Sequence, residues 1–262
     1  MHTRRTLIVG NWKMHMNVGQ SSALVAHLHK NIAGHKDVEV VLAPAMLSLQ
    51  PLSQEIDRRR FRLAAQNAYY KDEGGFTGEV SFSMIHDLVH YVIIGHSERR
   101  IYFSETNDNI RDKVAACIRN GLAPILCIGE TSAERVAGET KQVIHDQLVT
   151  ALSNVTSEDL HRVVIAYEPV WAISTFGGET AEPDKIKIVL DYIRSQITEL
   201  YGATASKQIR VLYGGSVDDH NASSYLKLDG CDGCLVGGAS LNYHKFSAIV
   251  EAAYRLNRGG EA

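Results

Sequence analysis

The sequence has little excess charge of either sign. Its 27 Lys and Arg residues stand against 30 Asp and Glu residues, which gives a formal net charge of -3 at pH 7. Proteins that bind nucleic acid or an anionic membrane surface usually carry a basic excess. The short run Arg58, Arg59, Arg60 has no basic flanks, so we interpret it as a solvated surface segment. Nucleic acid and membrane are therefore not expected as partners.

A long apolar segment is missing near the N-terminus. Arg4 and Arg5 precede a brief apolar run that soon reaches the sequence GNWK. A signal peptide needs a core of roughly 7 to 15 apolar residues and a membrane helix needs about 20. We expect neither, and we predict a cytoplasmic protein.

Cysteine is scarce, with four residues in the chain. Cys231 and Cys234 have the spacing of half a zinc site, but the sequence lacks the second half. Cys117 and Cys127 lie in apolar surroundings typical of a helix and a strand. We therefore favour reduced core thiols over a metal or redox site.

The apolar segments lack the alternation typical of half-exposed strands. Eight short runs recur along the chain, beginning at Thr6, Val38, Phe61, Tyr91, Ala123, Val163, Ile209 and Asp232. Continuous runs rich in Val, Ile and Leu fit strands that are buried on both faces, as in a parallel sheet. Helical periodicity lies between them, at Ile144, Leu148 and Leu152, and at Ile186, Leu190, Ile193, Ile197 and Leu200.

Strand followed by helix, about eight times in about 250 residues, is the order and size of a (β/α)8 barrel. No Ser/Pro-rich linker interrupts the chain. We therefore predict the α/β class and a single-domain TIM barrel over residues 1–262. A doubly wound open sheet is the alternative, but it would favour a Gly-rich turn after the first strand, where this chain has NWKM.

Polar residues gather where the predicted strands end, and in such a barrel those ends converge on one mouth. Each residue has an ordinary explanation, such as a hydrogen-bonded core histidine for His96 or surface charge for Lys13. Their shared location at the same end of successive strands instead favours an active site. The residues are Asn11, Lys13, Asn67, His96, Glu98, Glu130 and Glu168.

Two glycine pairs follow the last two strands, in YGGS and VGGAS. Turn chemistry explains either pair alone. Both together, in adjacent strands, favour a phosphate held on exposed backbone N–H groups, which barrels often bind at this place.

The motifs NWKM, AQN, GGFTGEVS, IIGHSERR, CIGE, AYEPVWAI, YGGSV and DGCLVGGASL closely resemble the triosephosphate isomerase family, in family order, from residue 7 to about 250. The resemblance implies an isomerase that interconverts dihydroxyacetone phosphate and D-glyceraldehyde 3-phosphate in glycolysis and gluconeogenesis. It implies no cofactor and no metal. It also implies a homodimer formed through the loop at residues 69–83.

The resemblance assigns the catalytic residues. Glu168 is the base that carries a proton between neighbouring carbons, and His96 is a neutral imidazole that donates to the substrate oxygens. Lys13 supplies a positive charge for the anionic substrate, with Asn11 beside it as a positioning group. Glu98 is the partner of Lys13.

The resemblance also assigns the phosphate site and a lid. Phosphate rests on backbone N–H groups near Ser216, Gly237 and Gly238, with another from the loop after Glu168, at Ser174. That loop is unusually apolar and is expected to close over the carboxylate and exclude water. Glu130, Trp171 and Tyr213 support the lid, and Trp171 moves toward Glu130 on closure.

The chain departs from the family in two places. Ser174 and Phe176 stand where the family lid has glycine, and the lid is about two residues longer. We expect Gly177 and Gly178 to take over the backbone freedom and Phe176 to pack on the barrel rim. His15 replaces an asparagine near the expected dimer contact.

Three other functions stay open. The altered lid suits an isomerase of a four-carbon ketose phosphate on the same scaffold. Lys13 is also a candidate for the Schiff base of an aldolase. A catalytically silent phosphate-binding barrel is the third.

Overall fold

The computed structural model describes residues 4–259, and it contains one closed barrel of eight parallel strands. The predicted TIM barrel is confirmed and the open sheet is wrong, because β1 pairs with both β2 and β8. Residues 1–3 and 260–262 of the predicted domain lie outside the described residues. The strands are β1 (Thr6–Asn11), β2 (Val38–Ala43), β3 (Phe61–Ala65), β4 (Tyr91–Ile94), β5 (Ala123–Ile128), β6 (Val164–Tyr167), β7 (Arg210–Tyr213) and β8 (Gly233–Val236).

Helices surround the barrel and connect successive strands. They are α1 (Val18–Asn31), α2 (Met46–Glu55), α3 (Phe82–Ile85), α4 (Ser97–Tyr102), α5 (Asn107–Arg119), α6 (Ser132–Val136), α7 (Thr140–Leu152), α8 (Pro183–Tyr201), α9 (Ala203–Gln208), α10 (Ala222–Leu226) and α11 (Tyr243–Asn257). Three short 3-10 turns lie at Leu160–Arg162, Val170–Ala172 and Gly238–Leu241. No helix within residues 4–259 is both long and apolar enough to span a membrane.

The strands are buried on both faces, as their continuous apolar runs predict. One layer of side chains fills the barrel interior, including Leu7, Val41 and Ile93. A larger layer, including Ile8 and Leu42, lies between the strands and the helices. Two buried layers explain why the strand sequences do not alternate with polar residues.

The predicted helical patterns lie on α7 and α8. Their apolar positions face the core, except that Leu200 at the end of α8 is 41% exposed. Pro183 occupies the first turn of α8, where a missing N–H costs nothing. Cys117 on α5 and Cys127 in β5 are fully buried, as expected for core thiols.

An ion pair lies in the barrel near its N-terminal end. Arg210 at the start of β7 donates to Glu39 at 2.8 Å, and Tyr91 donates to the same carboxylate at 3.0 Å. Burial raises the pKa of Glu39, but the Arg210 guanidinium and the hydrogen bonds outweigh it, so the net shift is downward. This pair lies at the opposite end of the strands from the candidate site.

Candidate active site

A cavity of about 480 Å3 lies at the C-terminal ends of the strands. Its walls include every residue that the family resemblance assigned to catalysis or substrate binding, although these residues come from distant parts of the chain. They are Asn11, Lys13, His96, Glu168, Ser174, Ser216, Gly237 and Gly238.

Glu168 follows β6 directly and is only 2% exposed. The backbone N–H of Ser97 donates to its Oε2 at 3.2 Å. A Cβ at Gly214 would lie 2.8 Å from its Cγ, and one at Gly129 would lie 1.8 Å from its carbonyl oxygen. Gly214 therefore makes room for the Glu168 side chain and Gly129 for its backbone, in a buried and crowded position.

His96 caps the N-terminus of α4, so Ser97 and Glu98 open that helix as the sequence suggested. Its Nδ1 accepts the backbone N–H of Glu98 at 3.2 Å. An imidazole nitrogen that accepts carries no proton, so the ring is neutral with its proton on Nε2. That nitrogen lies 3.3 Å from Oε1 of Glu168.

Lys13 has a positive φ of 52°, a conformation that is uncommon for a side-chain-bearing residue. Two polar side chains hold its backbone: Oδ1 of Asn11 accepts its N–H at 3.1 Å, and Nε2 of Gln66 donates to its carbonyl at 2.8 Å. Its Nζ lies 2.6 Å from Oε1 of Glu98. Burial raises the pKa of Glu98, but the hydrogen bond from Lys13 and the nearby charges outweigh it and lower the pKa overall.

The first part of the lid is anchored to the end of β5. Nε1 of Trp171 donates to Glu130 at 2.9 Å, and the hydroxyl of Tyr167 donates to the other carboxylate oxygen at 3.1 Å. The guanidinium of Arg135 lies 3.5 Å from the centre of the indole ring. Burial raises the pKa of Glu130, and the hydrogen bonds only partly oppose it.

The lid tip contains Ser174 and Phe176, which stand where the family lid has glycine. Gly177 and Gly178 have φ values of 154° and 68°, so these two glycines, and not Phe176, take the positive φ values at the lid tip. The ring of Phe176 lies 5.7 Å from the ring of Tyr102 on α4, outside the cavity lining. The expectation that Phe176 packs on the rim is confirmed.

At the far end of the cavity, the backbone N–H of Ser216 donates to the carbonyl of Ala172 at 2.9 Å. The hydroxyl groups of Ser174 and Ser216 lie 3.1 Å apart. A carbonyl at the base of the lid therefore accepts from the Ser216 N–H, which the resemblance assigns to phosphate binding. Lys245 of α11 also lines this end of the cavity, which the sequence interpretation missed because nothing marks that lysine as close to β8.

Two residues that the sequence placed at the site, Asn67 and Tyr213, make contacts that the sequence did not predict. Asn67 accepts from Nζ of the buried Lys113 at 2.7 Å, so its amide serves a structural network and does not line the main cavity. Tyr213 packs on Tyr225 with ring centres 4.1 Å apart, and its hydroxyl has no hydrogen-bond partner among the described residues. The hydroxyl of Tyr225 donates to the carbonyl of Ala181, where the lid ends, at 2.8 Å.

The four cysteines carry free thiols, and Cys231 donates to the carbonyl of Gly233 at 3.3 Å. Within residues 4–259, no three His, Cys, Asp or Glu side chains are grouped as metal ligands would be.

Comparison with known proteins identifies close relatives of the whole chain. The family model described as triosephosphate isomerase matches residues 6–253. The triosephosphate isomerase of Carboxydothermus hydrogenoformans is 41% identical over 251 residues, which cover 95% of this chain and 99% of the relative. That of Chlorobium phaeobacteroides is 44% identical over 252 residues, with 95% and 99% covered. That of Dictyoglomus thermophilum is 41% identical over 250 residues, with 95% and 100% covered.

Proposed function

The chain belongs to the triosephosphate isomerase family and is an isomerase that interconverts dihydroxyacetone phosphate and D-glyceraldehyde 3-phosphate, and we propose that Glu168 moves the proton in this reaction. The observation that carries the mechanism is the 3.3 Å approach of Glu168 to His96 in a cavity that Lys13 also lines. A base, a hydrogen-bond donor and a cation then face one small substrate.

The reaction needs a weakly acidic C–H proton to leave one carbon and return to its neighbour. The Glu168 carboxylate takes this proton, which leaves an enediolate, and then delivers it to the adjacent carbon. Its near-complete burial supports the role, because the cavity keeps competing water away from the carboxylate and the reacting carbons.

The enediolate carries negative charge on the two substrate oxygens. The Nε2–H of His96 donates to them, and Lys13 supplies a positive charge while Asn11 holds its backbone. The 2.6 Å pair with Glu98 supports an ammonium at Lys13. A protonated lysine is not a nucleophile, which argues against the Schiff base of an aldolase.

Phosphate binds at the end of the cavity formed by Ser216, Gly237 and Gly238, with Ser174 contributing from the lid. The N–H of Ser216 must first release the carbonyl of Ala172. Binding of the phosphate is therefore linked to a local change at the base of the lid, where Ala172 meets Ser216. The closed lid excludes water from an enediolate that would otherwise lose its phosphate.

We also propose a homodimer. A second cavity of about 350 Å3 lies on the other side of Lys13, His96 and Glu98, and Met14 and Phe103 line it. Met14 is 94% exposed and Phe103 is 64% exposed, which is unusual for apolar side chains beside an active site.

The occupant of that cavity is the loop at residues 69–83 of a second copy, which contacts the side of the catalytic residues remote from the substrate. Sedimentation should give twice the monomer mass, and Met14→Glu should weaken the dimer. A monomeric wild type would contradict the proposal.

We also propose that the enzyme works in the cytoplasm, as part of glycolysis and gluconeogenesis.

Conversion of D-glyceraldehyde 3-phosphate in D2O tests the mechanism. The carboxyl group formed at Glu168 exchanges its proton with solvent, so the dihydroxyacetone phosphate should carry deuterium on the carbon that receives it. Proton NMR measures this incorporation. Product that stays unlabelled throughout the reaction would indicate a hydride shift and contradict the proposed base.

A further inference from the structure

Thr175 of the lid joins the ion pair between Lys13 and Glu98. Its Oγ1 lies 2.9 Å from Oε1 of Glu98 and 3.3 Å from Nζ of Lys13. An ammonium only donates and a carboxylate only accepts, so the threonine hydroxyl donates to Glu98 and accepts from Lys13. The three groups form a closed ring of hydrogen bonds between the lid and two different strand ends.

This ring uses two of the three N–H bonds of the Lys13 ammonium. One is directed to Glu98 and one to Thr175, so one remains for a substrate oxygen. When the lid withdraws, the contact with Thr175 is lost and the flexible lysine side chain regains rotational freedom.

We propose that Thr175 is a positioning residue for catalysis: when the lid closes, its hydroxyl fixes the ammonium of Lys13 against Glu98 and directs the remaining N–H at the substrate. Closing of the lid and alignment of the cation are then a single event. The inference rests on the proposed role of Lys13 in the reaction.

The competing explanation is that Thr175 only holds the lid closed and does not position Lys13. The other lid contacts allow these two explanations to be separated. Trp171 bonds to Glu130, Ser174 contacts Ser216, and Phe176 packs on Tyr102. None of these contacts uses the hydroxyl of Thr175. Removing that hydroxyl should therefore leave lid closure intact and disturb only the placement of Lys13.

The variants Thr175→Val and Thr175→Ser make a matched pair. Valine has the shape of threonine without the hydroxyl, and serine keeps the hydroxyl. Because the ring is partly exposed to solvent, we expect Thr175→Val to lower kcat/KM by about 3- to 10-fold. Thr175→Ser should stay within about twofold of wild type.

Lid closure is checked on the same proteins by the change in Trp171 fluorescence when 2-phosphoglycolate is added. The change should be the same in wild type and Thr175→Val. A valine variant with normal kcat/KM, failure of serine to restore activity, or loss of the fluorescence change in Thr175→Val would each overturn the proposal.

A double-mutant cycle with Glu98→Ala completes the test. If Thr175 acts through the ion pair, Thr175→Val should lower kcat/KM by less than about twofold in the Glu98→Ala background. Equal losses of kcat/KM in the wild-type and Glu98→Ala backgrounds would overturn the positioning role without contradicting the isomerase mechanism. If Glu98→Ala does not fold, the valine and serine pair still decides the question. Full activity of Lys13→Met would instead contradict the proposed mechanism itself.

Discussion

The Nε2 atom of His96 lies 3.3 Å from Oε1 of Glu168. Both side chains are buried, and separate hydrogen bonds hold them: Glu98 donates its N–H to the imidazole and Ser97 donates its N–H to the carboxylate. Consecutive N–H groups of one helix start therefore orient the donor and the base. A substrate that displaces their mutual contact would meet the base at carbon and the donor at oxygen.

Lys13→Met should raise KM and lower kcat, since the ammonium meets both the substrate and the transition state. Loss of a charged hydrogen bond costs about 1.5 to 3 kcal/mol, so kcat/KM should fall by at least roughly tenfold. Lys187→Met, on the outer surface of α8, is the matched control and should behave as wild type. An unchanged KM in Lys13→Met would remove the lysine from substrate binding.

Trp171 should report lid movement, because the chain has only one other tryptophan, Trp12. The hydrogen bond from Trp171 to Glu130 belongs to one lid position, so its environment changes as the lid moves. Adding 2-phosphoglycolate should change the emission of wild type and barely affect Trp171→Phe. Equal responses from the two proteins would show that Trp171 does not follow the lid.

The longer lid should not change the preferred substrate. Phe176 packs on Tyr102 outside the cavity, so the extra lid residues do not enlarge the space around Glu168. We expect kcat/KM for D-glyceraldehyde 3-phosphate to exceed that for erythrulose 4-phosphate by at least roughly tenfold. Phe176→Gly should keep this ratio. Equal or reversed efficiencies in wild type would support the four-carbon isomerase instead.

Glu39→Gln should lower the free energy of unfolding at neutral pH and make it depend less on pH in the acidic range. The folded pKa of Glu39 is lowered, so its contribution is complete above the unfolded pKa and is lost as pH falls through the folded value. Urea unfolding should give a loss of about 2 kcal/mol at pH 7. The difference from wild type should shrink below about pH 4.

Glu158→Gln, an exposed residue in a turn, is the control for the unfolding series and should match wild type. A difference between wild type and Glu39→Gln that stays constant from pH 7 to pH 3 would contradict the pairing of Glu39 with Arg210.

The fold and the gathering of the candidate site residues in one cavity followed from the sequence because local signals specify them. Buried strands leave uninterrupted apolar runs, and polar residues such as Lys13 and Glu168 follow within about two residues of the strand ends. The positive φ of Gly178 was also predictable, because few other residues tolerate it.

The contacts of the lid were not predictable in the same way. The N–H of Ser216 bonds to Ala172, and the hydroxyl of Thr175 reaches Glu98, across 44 and 77 residues of chain respectively. No periodicity or composition encodes such pairs, since they depend on how the loop settles over the finished barrel. Lys245 was missed for the same reason, because only the closed barrel brings α11 to the phosphate end.

The role of Glu168 is tested most directly by phosphorus NMR of D-glyceraldehyde 3-phosphate conversion by wild type, Glu168→Gln and Glu179→Gln. Glu179 is an exposed carboxylate on the same loop, so its variant controls for loop damage. We expect wild type and Glu179→Gln to produce dihydroxyacetone phosphate at similar rates, and Glu168→Gln to be slower by roughly three orders of magnitude while it still binds phosphate ligands. Near-normal conversion by Glu168→Gln would contradict the account.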